Sequence, residues 1–246
     1  MVVLVIFGSE SDSEIYNKII KILEDNKIDF ELKIASAHRN PGRINNIMQK
    51  DYKVIIAGAG LAAALPGVIA SKTTRPVIGV PCEGSYQGLD ALLSIVQMPT
   101  GIPVMSVGVA QAETAALNAI NILKEHNAVS IVGNKNEKPV KDAVDIFTKM
   151  NVPYKYVTQA SQTSINLQFV YFDEPVEKKE QLVIYCPLLL RDDDKAEASL
   201  NLLKHSNHGL WVGLNNGVNA AIAAVEILNM KNQYEQSLIK YREEFK

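Results

Sequence analysis

At 246 residues, with 47% hydrophobic and 21% charged residues, the chain is long enough for one large domain or two small ones and has the composition of a soluble globular protein. A formal net charge of -2 without Lys/Arg clusters gives no electrostatic case for nucleic acid as a partner. Cys82 and Cys186 lie far apart with no metal-ligand spacing, so two buried thiols are expected rather than a zinc site or a disulfide.

The apolar start, Met1-Val2-Val3-Leu4-Val5-Ile6-Phe7, runs into Gly8 without a basic region or cleavage site and reads as a first strand, not a signal peptide. No stretch approaches a membrane span, so the expectation is a soluble cytoplasmic protein with no membrane partner. A helix over 13–26 follows, with Ile15, Ile19, Ile20, Ile22 and Leu23 on one face. Strands are predicted at 30–35, 53–57, 76–81 and 104–107, and helices at 41–50, 89–96 and 112–124. The segment 58–67 opens from the third strand into a helix of small residues. This alternation predicts a doubly wound parallel sheet of flavodoxin or Rossmann type, a three-layer α/β/α fold.

The second half reads as a worn, smaller copy of the first, with domains at 1–126 and 127–246. Ala128-Val129-Ser130-Ile131-Val132-Gly133 repeats the first strand and turn, and the helix 140–150 and the run 152–156 follow as in the first half. Residues 213–222 echo 108–117. In this comparison Asn134 replaces Ser9, Glu137 replaces Asp12, Gln162 replaces His38 and Thr163 replaces Arg39, while the charged run 173–180 stands in place of 58–67. Apolar periodicity survives and the chemical groups do not, so the first copy is expected to do chemistry and the second to be structural.

Ser36-Ala37-His38-Arg39 ends the second strand and Gly8-Ser9-Glu10-Ser11-Asp12 the first, and two such strand ends meet on one edge of a parallel sheet. A lone histidine is more often a surface or core residue than a catalyst. At a strand end between Ser36 and Arg39, among small residues, His38 has the setting of a proton carrier, since imidazole titrates near neutrality. Arg39 suits bidentate capture of a phosphate or carboxylate, and its charge favours a neutral, basic imidazole beside it. Ser9, Ser11 and Asp12 are equally ordinary as helix caps, and they gain weight only from the partner turn. Gly58-Ala59-Gly60 fails the dinucleotide pattern, because Ala63 occupies the final glycine position. It reads either as a loop that lets backbone approach a compact ligand or as close helix–strand packing. The Pro-punctuated stretch 97–103 suggests a lid or a subunit contact.

These motifs, with Leu65-Pro66-Gly67, Pro76-Val77-Ile78-Gly79-Val80-Pro81 and the run 89–104, occur in an order that resembles the PurE family of purine synthesis. That family comprises N5-carboxyaminoimidazole ribonucleotide mutases and aminoimidazole ribonucleotide carboxylases. The resemblance covers the first half in detail and the second only as a repeat. It implies an aminoimidazole ribonucleotide-type substrate and carbon dioxide, with neither metal nor organic cofactor. It assigns phosphate to Ser9 and Arg39 with help from Ser11 and Ser36, ribose hydroxyls to Asp12, and proton transfer to His38. Gly58, Ala59, Gly60, Leu65 and Pro66 would bound a water-poor pocket for carbon dioxide. The mutase class usually reads Ala-Ala-His-Leu-Pro-Gly where this chain has Ala62-Ala63-Ala64-Leu65-Pro66-Gly67, and loss of that histidine resembles the class that uses free carbon dioxide. That class usually carries Ser-Ala-His-Lys, whereas Arg39 and the stretch 97–103 are mutase-like, so the balance falls to the mutase. Direct carboxylation is the alternative, and a non-catalytic nucleotide-binding protein a further one. The resemblance also implies a homo-oligomer, a tetramer of tandem chains mimicking an octamer.

Overall fold

The computed structural model describes residues 2–172, 176–190 and 192–245. In the first half, β1 (Val3–Phe7), α1 (Ser13–Asp25), β2 (Phe30–Ile34), α2 (Pro41–Ile47), β3 (Val54–Ala59), α3 (Leu65–Ala70), β4 (Val77–Pro81), α4 (Leu89–Val96), β5 (Met105–Ser106) and α5 (Ala112–Ile122) alternate as expected. The second half contributes β6 (Val129–Val132), α6 (Lys138–Lys149), β7 (Tyr154–Tyr156), β8 (Ile165–Val170), β9 (Val183–Pro187), α7 (Lys195–His205), β10 (Leu210–Trp211), α8 (Gly217–Leu228) and α9 (Glu235–Glu243).

All ten strands join one sheet in the order β2-β1-β3-β4-β5-β10-β9-β8-β6-β7. Every pairing is parallel except at the seam, where Ser106 of β5 faces Trp211 of β10 antiparallel. Counted from the seam outward, the two halves have the same strand order, and they run in opposite directions. Their details match as well. Val107 N–H donates to Gly79 O and Ala110 N–H to Pro81 O, as Val212 N–H does to Tyr185 O and Asn215 N–H to Pro187 O. Ala110 and Asn215 both take the left-handed conformation, at φ 56° and 55°.

Continuous Val/Ile runs make β1, β3 and β4 fully buried, because helices cover both faces of the sheet. On one face α1 buries Tyr16, Ile19 and Leu23, and the cluster they enter runs on into Val140, Phe147 and the Ala/Ile/Val-rich face of α8. On the other, Leu4, Ile6, Ile55, Leu65 and Ile95 form a core confined to the first half. At the seam Leu92 and Val96 of α4 pack with Leu202 of α7 around Trp211, whose ring stacks on Tyr185 at 4.8 Å. Both halves therefore share one sheet and one main core. Each also covers the strand edge that the other would leave open.

Several boundaries differ from expectation. Gly58 and Ala59 belong to β3, because they pair with Val80 and Pro81. The following small residues are coil, and helix begins only at Leu65, with Pro66 in its first turn. The stretch 97–103 is neither loose nor free, since the second half holds it. Of the charged run at 173–180, residues 173–175 lie outside the described residues, and 176–180 have no regular structure.

Candidate active site

The expected constellation assembles at the carboxyl ends of β1, β2 and β3. After β1, Ser9 adopts extended backbone and caps a single turn of 3-10 helix at Glu10–Asp12. Its hydroxyl accepts from Ser11 N–H at 3.2 Å and from Ser11 Oγ–H at 2.7 Å, which leaves its own proton free to face outward. After β2, the turn 36–40 closes on itself. Ser36 N–H donates to Asn40 Oδ1 at 2.7 Å, Asn40 N–H to Ser36 O at 3.1 Å, and Arg39 N–H to Ser36 Oγ at 3.2 Å. This lock presents His38 and Arg39 as exposed side chains on a rigid turn. Gly8 N–H donates to Gly58 O at 3.0 Å and fixes the β1 end against β3.

A cavity of about 380 Å³ is lined by Ser9, Ser11, Asp12, Ser36, His38, Arg39, Ala59, Gly60 and Leu65, together with Gly8, Ala37, Leu61, Ala62, Ala63, Ala64 and Glu83. Its size is that of a small-molecule site. A neighbouring cleft of about 620 Å³ shares Gly8, Ser9, Ser36 and Arg39 and adds Lys33, Asn40 and Arg43. The cleft thus carries Lys33, Arg39 and Arg43 against one carboxylate, Glu10, and the cavity carries Asp12 and Glu83 beside Arg39 and His38. Burial pushes the Asp12 carboxyl above its usual range, against hydrogen bonds from Ser11 and Cys82 that pull it down. The Cys82 thiol is itself raised, by burial first and then by Asp12.

Two expected residues stand apart from the cavity. Gly58 faces the core, where a Cβ would lie 2.0 Å from the Phe7 ring, so its glycine serves packing. Pro66 is buried in the first turn of α3. Leu61 holds a left-handed φ of 56° and is 64% exposed, and Ala62 is exposed beside it. Polar Asp12, His38, Arg39 and Glu83 line the cavity together with the small-residue loop.

Sequence reasoning missed Asn40, Arg43, Cys82 and Glu83. Asn40 had a signal, since Asn-Pro marks a turn before a helix. Arg43 follows one turn into α2 from that point. Cys82 and Glu83 reach the site only because β4 lies beside β3, with Cys82 N–H donating to Ala59 O at 2.9 Å. Among the described residues no cluster of His, Cys, Asp and Glu suited to a metal ion occurs, and no helix is long and apolar enough to cross a membrane.

The AIR carboxylase family model matches residues 2–132, just over half of the chain, ending with β6. The N5-carboxyaminoimidazole ribonucleotide mutase of Methanocaldococcus jannaschii is 48% identical over 142 residues, covering 56% of this chain and 90% of that protein. The enzyme of the same name from Pyrococcus abyssi is 51% identical over 124 residues, covering 48% of this chain and 71% of its own length. The phosphoribosylaminoimidazole carboxylase of Candida glabrata is 47% identical over 128 residues, or 50% of this chain and 22% of that protein. The family match takes in the whole half that holds the cavity and the first strand of the other.

Proposed function

The chain belongs to the AIR carboxylase family, and on that premise we propose that it catalyses the N5-carboxyaminoimidazole ribonucleotide mutase reaction. The carboxyl group moves from the exocyclic nitrogen to ring C4, giving 4-carboxy-5-aminoimidazole ribonucleotide in purine synthesis. The observation that carries the assignment of roles is that His38 and Arg39 share one cavity with Ser9, Ser11 and Asp12. Arg39 and the hydroxyls of Ser9 and Ser36 take the phosphate, with Arg43 adding charge from the adjoining cleft. Asp12 accepts from the ribose hydroxyls. The carbamate C–N bond breaks, releasing carbon dioxide and leaving its electron pair on the aminoimidazole. C4 then attacks the carbon dioxide, and His38 removes the C4 proton so that aromaticity returns. That proton takes the carboxyl group's place on nitrogen, so one imidazole leaves the cycle as it entered.

The test compares N-carboxylated ribonucleotide with aminoimidazole ribonucleotide plus bicarbonate as substrates. Wild type is expected to turn over the first at low bicarbonate, and His38→Asn to lose about 10²–10⁴-fold in kcat while binding aminoimidazole ribonucleotide within a few-fold. Turnover only at high dissolved carbon dioxide would assign direct carboxylation, the reading that Ala64 in the cavity wall favours. Binding without turnover in either direction would make this a nucleotide-binding protein.

A further inference from the structure

Asn219, near the start of α8, is 1% exposed, and its amide is committed to the first half. Its Oδ1 accepts from Gly101 N–H at 2.8 Å, and its Nδ2 donates to Pro99 O at 3.0 Å and Met98 O at 3.3 Å. Asn216 adds a fourth contact to Met98 O at 3.4 Å. The loop held in this way places Met98 against α3, where a Cβ on Gly67 would come within 3.1 Å of its sulfur. Arg242 of α9 grips the other end of the same helix. It donates to Ala70 O at 3.1 Å and Thr73 O at 2.6 Å, and it pairs with buried Glu226 at 2.7 Å.

The opposite side of the seam shows how unequal this is. Thr114 of α5 occupies the position that corresponds to Asn219, and it makes one bond, to Asn207 O of the second half at 3.2 Å. The second half therefore holds the half with the cavity by several bonds and is held in return by one at this position. α3 is only six residues long, about 9 Å at 1.5 Å per residue, and its first residue, Leu65, lines the cavity.

We infer that Asn219 and Arg242, supplied by the second half, are positioning residues for the site in the first: Asn219, through Met98, steadies α3 at Gly67, and Arg242 fixes its far end, so that its near end holds the cavity wall in register. This rests on the carboxyl-transfer reading for its kinetic consequence but not for its structural one. The phosphate contacts lie on other elements, so loosening α3 is expected to lower kcat rather than raise KM.

The experiment measures kcat, KM and amide hydrogen exchange over 63–70 for wild type, Asn219→Ala and Asn219→Asp. Gly67→Ala disturbs the Met98 contact without touching the second half, and Lys231→Ala, in an exposed ion pair, is the control. In Asn219→Ala, kcat is expected to fall about tenfold with KM within twofold, since small misplacements of a reacting group are costly. Exchange over 63–70 should quicken at least tenfold. Asn219→Asp keeps the bond from Gly101 and should fall between Asn219→Ala and wild type. Gly67→Ala should show the same split between kcat and KM, which decides the matter if Asn219→Ala does not fold. A folded Asn219→Ala with wild-type kcat and exchange, whatever its melting temperature, would overturn the proposal. Wild type inactive on every substrate would sink the carboxyl-transfer reading alone, and the exchange measurement would then decide the role of Asn219.

Discussion

Arg39 stands where the two cavities meet, and that position suits it to clamp an anion from either side. Its backbone is pinned to Ser36, so the guanidinium is presented from a fixed stem at reduced entropic cost. Arg39→Ala is expected to raise KM for the ribonucleotide about 10–100-fold with a smaller change in kcat, the effect of losing one charge-assisted phosphate contact. Arg39→Lys should recover part of this, because an ammonium keeps the charge and lacks the planar fork. Steady-state kinetics distinguishes the two, and equal KM values for Arg39→Ala and wild type would remove Arg39 from the phosphate site. Asp12 differs in kind. Partial burial makes its carboxylate less willing to ionise, against the opposite pull of the neighbouring Ser11 and Cys82 side chains.

At the ends of β1 and β3 the two halves solve one packing problem in opposite ways. In the first half Phe7 fills the space on β1 and Gly58 yields it on β3. Hydrogen-bond phase and facing place Gly133 at the position of Phe7 and Phe169 at that of Gly58. There the contact is reversed, with a Cβ on Gly133 coming within 3.0 Å of Phe169. The comparison from sequence had matched Gly133 with Gly8, one residue away. The cap explains the slip, since Asn134 Oδ1 accepts from Asn136 N–H at 3.0 Å much as Ser9 accepts from Ser11. The second half reaches its cap with one residue fewer and has no equivalent of Gly8. Gly58→Ala is expected to destabilise the protein by about 1–3 kcal/mol through overpacking. Phe7→Leu in the same chain should restore part of the loss, as chemical denaturation would show. If Gly58→Ala unfolds at the wild-type midpoint, the assignment of Gly58 to packing fails.

Across the whole molecule, the C-terminal segment returns to the first half through a network that includes a buried carboxyl group, Glu226. Burial pushes the Glu226 carboxyl up to about 8 from an ordinary 4.5, with Arg242 pulling it down and Glu235 adding to the rise. The folded state therefore favours the protonated acid. Its contribution to stability is complete below pH 4.5 and is lost as pH rises through 8. Unfolding midpoints measured from pH 5 to pH 9 should decline across that window by an amount on the order of a few kcal/mol. Glu226→Gln, which keeps the shape and cannot ionise, should flatten the decline. An identical slope in both proteins would show that Glu226 remains ionised beside Arg242 throughout. Beyond the ion pair, Thr74 donates to Glu235 at 2.8 Å, and Arg75 donates to Asn229 O at 2.9 Å and Asn232 Oδ1 at 2.7 Å. The closure is spread over many contacts, so no single substitution is expected to open it.

Most elements of the first half, and the residues that face its cavity, follow from local pattern. Strand and helix periods repeat within short windows, and the turns 8–12 and 36–39 carry their chemistry in consecutive residues. Much of the second half did not show itself that way. β8 and β9 flank a charged run that breaks the alternation, and β10 is only two residues long, so its strand character comes from neighbours in the sheet more than from propensity. That Gly58 packs under Phe7, that Cys82 N–H bonds to Ala59 O beside the cavity, and that Asn219 grips the loop 97–103 depend on pairs separated by up to 121 residues. Such contacts have no period to read. Strand order creates them, and the antiparallel seam joins two copies of one strand order into a single sheet.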